Sequence, residues 1–151
     1  MTDTTDLRDR RLAIVREHME SENTHDFDVT MATFDHPRYE IVPTGEVYDG
    51  PDEVATYFET TRGAFPDQRN ENSTLHAAED AVIVEFDLLG THRGELRGIP
   101  PTGKSFRCRV CAIFEFPPES DHIICERVYF DTATIIQQLL GDEGSSPVSP
   151  D

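Results

Sequence analysis

Lysine is almost missing from this sequence. Twelve of its thirteen basic residues are arginine and only Lys104 is lysine, against thirty aspartates and glutamates, for a formal charge of -17 over 151 residues. This shortage of positive charge excludes a surface built to grip phosphate backbones or anionic lipid, so neither nucleic acid nor a membrane is expected as a partner. Long apolar runs are missing as well. No stretch approaches the about 20 residues that span a bilayer, and the opening MTDTTDLRDRR lacks the apolar core of a secretory leader. Cysteine numbers three, an odd count that suits a reducing compartment better than a disulfide framework. Cys108 and Cys111 have the spacing of a metal pair, but at that separation on a strand they point to opposite faces. They read as small buried hydrophobes, and no metal is expected.

The acids are spread through the chain rather than run together, which argues against a solvating acidic tail as their main role. A heavily hydrated surface suited to high salt, and with it a halophilic cytoplasm, is the better reading. The length fits one domain over 1–141, followed by a disordered acidic tail over 142–151.

Three consecutive apolar-alternating runs dominate the second half: 81–94, 106–116 and 122–131. Alternation sorts their side chains onto two faces. One face collects Val84, Phe86, Leu88 and His92, then Cys108, Val110, Ala112, Phe114 and Phe116, then Glu126, Val128 and Phe130. The other collects Glu85, Asp87, Arg107, Arg109, Glu115, Cys125, Arg127, Tyr129 and Asp131, the pattern of a cross-strand charge ladder. Before them, 6–23 has the helical spacing of Leu12, Val15 and Met19. Asp26 is placed to cap a short second helix, and 38–42 alternates as a strand closed by Pro43-Thr44-Gly45. A turn at Asp49-Gly50-Pro51 leads into a third helix with Val54, Tyr57 and Phe58 inward. A polar edge strand over 68–76 follows, and Asp131 caps a last helix over 132–140. The order α-α-β-α-β-β-β-β-α is an α+β layout, a curved, mainly antiparallel sheet with helices on one face.

The residues His36-Pro37-Arg38-Tyr39, Val47-Tyr48-Asp49-Gly50-Pro51, Gly90-Thr91-His92-Arg93-Gly94, Gly98-Ile99-Pro100-Pro101-Thr102-Gly103-Lys104 and Glu126-Arg127-Val128-Tyr129-Phe130-Asp131 carry a resemblance. Together they resemble the SnoaL-like polyketide cyclase and ester cyclase branch of the nuclear transport factor 2-like superfamily. The resemblance implies a cone-shaped cavity, no cofactor, and a homodimer through the outer sheet face. It also implies an aspartate on the last strand as acid and base of an aldol ring closure, with a histidine two positions earlier. In this sequence those positions align with Val128 and Glu126, and the neighbouring glutamine and histidine positions with Val110 and Ala112. Valine can neither give nor take a proton, so the aldol mechanism does not carry over in that form.

Glu126 is the candidate acid/base. Set among Val110, Ala112, Val128 and Phe130, its carboxyl is expected to resist ionisation, unless it pairs with an arginine or a backbone group inside the cone. His92 on the same face either relays a proton or holds a loop, and Tyr39 offers a hydroxyl to the cavity. His36, Tyr57, Phe58, Phe86, Leu88, Cys108, Val110, Ala112, Phe114, Val128 and Phe130 are the expected walls of a pocket for a hydrophobic small molecule. Two functions fit: a cofactor-independent cyclase, isomerase or hydrolase, or a non-catalytic small-molecule-binding module or dimeric scaffold. If the acidic surface is a high-salt device, lowering the salt concentration will lower the melting temperature; a flat response would reject that reading.

Overall fold

A computed structural model describes residues 4–141; the tail expected over 142–151 lies outside the described residues. Helix α1 (Thr4–Thr24) buries Arg11, Val15, His18 and Met19, which recur at helical spacing down one side, and leaves most of its other charged residues to solvent. Helix α2 (Phe27–Ala32) follows a tight turn at His25, whose φ is 59. Asp26 stands at the start of α2, but its side chain makes no capping bond. The turn holds Asp26 through its own backbone, with N–H donating to the Ser21 carbonyl at 2.9 Å and C=O accepting from Val29 and Thr30. The expected side-chain cap is therefore replaced by main-chain bonds.

Strands β1 (Arg38–Ile41) and β2 (Glu46–Asp49) form a hairpin closed by Gly45 at φ 77. The β2 segment corrects the expected order, which has no strand between 38–42 and the turn at Asp49-Gly50-Pro51. Only pairing with β1, Tyr39 opposite Tyr48, makes so short and half-exposed a run a strand. Helix α3 (Pro51–Ala64) starts with proline at its first turn, as expected, and buries Val54 and Phe58. Strands β3 (Arg69–Ala77), β4 (Ala81–Thr91), β5 (Ser105–Glu115) and β6 (Cys125–Tyr129) then meander, and α4 (Thr132–Leu140) closes the chain. Asp131 caps α4, its carboxylate accepting from Ala133 N–H at 3.1 Å.

The six strands run β2-β1-β6-β5-β4-β3, antiparallel except where β1 lies parallel to β6. Val84 faces Ala112, Phe86 faces Val110, Leu88 faces Cys108 and Ala112 faces Val128, so the inner face sorted by parity is the one observed. Helices α1 and α2 cover part of it, and the uncovered part is concave. On the outer face Asp87 binds Arg107 at 2.7 Å and Arg109 at 3.1 Å, while Arg127 bridges Glu40 at 2.8 Å and Glu115 at 2.9 Å. Glu85 instead meets His76 at 3.1 Å. Such half-exposed pairs order the surface more than they stabilise it.

The corner between β4 and β5 sits directly on the end of α3. Arg93 and Gly94 donate to the Ala64 carbonyl at 2.9 and 3.1 Å, and a Cβ on Gly94 would lie 2.1 Å from the Gly63 carbonyl oxygen. Backbone cannot swing aside as a side chain can. Gly94→Ala is expected to destabilise the fold by roughly 1–3 kcal/mol. Gly63→Ala, where a Cβ meets nothing, should be neutral or slightly stabilising. Equal melting temperatures for the two variants would contradict this packing.

Candidate functional site

A cavity of about 390 Å³ opens between the concave sheet face, α3 and α4. Its volume lies within the about 300–1,000 Å³ typical of small-molecule pockets, and its walls are mostly apolar. Glu126 reaches it from β6, Tyr39 from β1 and Tyr57 from α3, with Phe86, Leu88, Val110, Val128 and Phe130 completing the expected part of the wall. The register that sets Tyr39 beside Glu126 and Phe114 opposite it puts this one carboxyl among aromatic rings.

The residue that sequence reasoning missed is His18. From α1 it drops onto the sheet, fully buried, with its ring edge-on to Phe114 at 4.9 Å and to Phe34 at 5.5 Å. Its Nε2 stands 2.9 Å from Glu126 Oε1, 3.2 Å from the Tyr39 hydroxyl and 3.5 Å from Glu22 Oε2. Glu22, one helical turn further along α1, accepts from the Tyr39 hydroxyl at 3.0 Å. A signal for this was present: Arg11, His18 and Glu22 fall on the same helical stripe as Val15, and polar residues on an inward stripe mark a site as well as a core.

The other nitrogen of His18 is fixed. The Thr33 hydroxyl gives its only proton to the Thr30 carbonyl at 2.6 Å, so toward His18 Nδ1, 3.0 Å away, it can only accept. Nδ1 therefore carries a hydrogen, and Nε2 is the nitrogen that trades a proton with Glu126. Burial opposes the imidazolium, but the carboxylates of Glu22 and Glu126 outweigh it and raise His18 to about 9. For Glu126, burial dominates; His18 pulls the pKa down, Glu22 pushes it back up, and the net shift is upward. In Glu22 burial is overcome by His18, then by Arg62 and the Tyr39 hydroxyl, and the pKa falls. One proton thus lies between Nε2 and Oε1, in a site whose second carboxylate stays ionised. Burial, with Glu22 and Glu126 close by, also holds Tyr39 protonated far above its ordinary range.

Not every expected residue is here. His92 is buried but lies outside the cavity wall, its Nδ1 accepting from the Thr102 backbone N–H at 3.2 Å and its ring against Phe65, so it holds the β4–β5 corner. His36 is exposed and faces Asp49 at 3.4 Å. Phe58, Ala112 and Phe114 are packed core behind the wall, and Cys108 belongs to a second apolar cluster under α4. Among the described residues, one group could hold a cation: His18, Glu22 and Glu126, whose donor atoms lie within 4.8 Å of one another. The charge of nearby Arg62 and the hydrogen bonds already joining these atoms disfavour a cation there. No described helix is long and apolar enough to cross a membrane.

The His18 assignment carries a pH signature. Its folded pKa exceeds the ordinary 6.5, so the stability it contributes is complete below about 6.5 and is lost as pH rises through about 9. NMR titration of the imidazole should find a midpoint near 9, and thermal stability should decline over the same window. A midpoint at or below 6.5 would break the charge assignment.

Comparison with known proteins places this geometry in a large group. A candidate SnoaL-like polyketide cyclase from Jannaschia sp. CCS1 superposes with a TM-score of 0.81 at 16% identity, over 94% of this chain and 99% of the other. AclR, a candidate hydroxylase from Streptomyces galilaeus, gives 0.75 at 19% identity over 95% and 87%. A nuclear transport factor 2-like protein from Burkholderia thailandensis gives 0.70 at 25% identity over 85% and 95%. No curated protein matches the sequence significantly. Residues 13–139 match the family profile that the cone and its cavity resemble, and the chain belongs to the SnoaL-like polyketide cyclase family.

Proposed function

We propose that this protein takes a hydrophobic small molecule into its cavity and catalyses proton transfer on it, as in a ring closure or isomerisation, with Glu126 as acid/base. The observation that carries the reading is the 2.9 Å contact of a cavity-lining buried carboxyl with a histidine of fixed tautomer. Carbon acids next to a carbonyl need a base whose pKa is lifted toward neutrality, and burial beside Glu22 lifts Glu126 that way. His18 supplies or accepts the shared proton, so that Glu126 takes the substrate proton as carboxylate and returns it as acid. The Tyr39 hydroxyl is committed to Glu22, making it a positioning group for the relay. Tyr57, on the cavity wall and kept protonated by burial, is free to donate to the oxygen on which negative charge develops.

The position two residues beyond Glu126 on the same face is Val128, where the resemblance places the aldol-cyclase aspartate. That substitution favours a second reading, a binding module without turnover. The outer sheet face, with its arginine–carboxylate ladder, is the surface we assign to pairing with a second copy.

Deuterium exchange into the carbon next to the carbonyl of 2-tetralone, followed by NMR, separates the two readings. The wild type should accelerate exchange over buffer, and Glu126→Gln should lose about 10²–10⁴-fold of that acceleration with its fold intact. Exchange at the buffer rate, or exchange insensitive to Glu126→Gln, would leave the binding module as the function.

A further inference from the structure

Arg62, near the end of α3, is a cation without a salt bridge among the described residues. Its guanidinium lies over the rings of Phe27 at 5.0 Å and Phe58 at 5.5 Å, which fix its plane. Nη1 donates to the Thr61 hydroxyl at 2.8 Å, and that hydroxyl is itself anchored on the Tyr57 carbonyl at 2.9 Å. The Nε is buried with no partner. Glu22 attracts this charge, yet its carboxylate is taken up by the Tyr39 hydroxyl at 3.0 Å and by His18 at 3.5 Å. Arg97, the other basic residue of the cavity wall, differs sharply because Glu46 neutralises it at 2.8 Å.

Gln68 lines the same cavity a few residues on. It is buried, and its backbone carbonyl bonds His25 at 3.1 Å, but among the described residues its side-chain amide has no hydrogen bond. A stacked, unpaired guanidinium and an idle amide in an otherwise aromatic wall make an unfinished binding site. A bound acceptor would satisfy the donors that the protein leaves open to the cavity.

We infer that the ligand is an apolar, ring-bearing molecule carrying one carboxylate, and that Arg62 binds this carboxylate with the Gln68 amide as a second donor. The inference rests on the cavity-binding half of the function proposed above and is independent of whether turnover occurs. A carboxylate matches guanidinium chemistry, and Nη2, which makes no hydrogen bond among the described residues and is not one of the sealed atoms, is the donor left to take it. A single carboxylate suffices, since Arg97 is already paired. The rings of Tyr57, Phe86, Phe106 and Phe130 line the space for the rest of the molecule. A formal charge of -17 repels an anion at long range, but that field is screened beyond about 8 Å at physiological salt, whereas contact with Arg62 is not. The carboxylate end also orients the ligand relative to Glu126, giving the proton-transfer site a defined carbon to address.

Calorimetric titration with 2-naphthoate and with its uncharged methyl ester tests this. The wild type should bind the acid about 10-fold or more tightly than the ester. Arg62→Met, which keeps an apolar stem on Phe27 and Phe58, should weaken the acid to the level of the ester and leave the ester unchanged. Arg62→Lys should retain part of the preference. Equal binding of acid and ester by the wild type would overturn the carboxylate assignment while leaving the cavity reading intact. A preference that survives in Arg62→Met would overturn the role of Arg62. Binding of neither probe would remove the cavity reading and this inference together. The wild-type comparison decides the ligand class even if a variant fails to fold.

Discussion

The site depends on one buried contact, the hydrogen bond between His18 Nε2 and Glu126 Oε1. Placing a carboxyl and an imidazole where both are sealed from water costs several kcal/mol per ion before any attraction is counted. The attraction offsets this only because the surroundings are arranged for it. Thr33 fixes the imidazole tautomer, Phe34 and Phe114 fix its plane, and Glu22 with the Tyr39 hydroxyl supplies a compensating charge and a donor. Truncating one partner would leave the other short of its main hydrogen bond, a loss of about 3–5 kcal/mol for buried pairs of this kind. An apolar pair in the same place would pack at lower cost, so stability alone does not account for the arrangement.

The architecture separates its charges in a way that makes this contact possible. Alternation along β4, β5 and β6 sends arginines and acids to the outer face, where solvent screens them, and sends apolar side chains inward. Against that apolar background Glu126 is conspicuous, and α1 has to bring the matching base from a remote part of the sequence. The parallel pairing of β1 with β6 then sets Tyr39 at the same level. Three elements that meet only in the folded chain thus converge on one carboxyl. The cavity beyond it is shaped by α3, α4 and the β4–β5 corner, which the contact of Gly94 with Gly63 holds down.

Membership of the SnoaL-like polyketide cyclase family fixes the scaffold. It does not settle the reacting groups. Where the resemblance places a histidine and an aspartate two apart on the last strand, this chain has Glu126 and Val128. The carboxyl thus occupies the earlier of the two positions, and its basic partner comes from a helix instead of the sheet.

Which face of each strand is buried, where the helices start and stop, and that a single acid sits on the greasy face followed from the sequence alone, because period and turn chemistry are local. Asp131 as a cap and Pro51 at a helix start are of this kind. Strand β2 did not follow, since Glu46–Asp49 has no strong preference of its own and is a strand only through pairing with β1. The company Glu126 keeps was equally out of reach, as His18 is 108 residues away and only the docking of α1 brings the two together. His92 shows the converse: parity set it on the inner face, but distance along the strand carried it past the cavity to the corner. Local spacing decides the orientation of a side chain; only the packing of distant elements decides which partners it meets there, and so whether a buried acid is a structural pair or part of a proton relay.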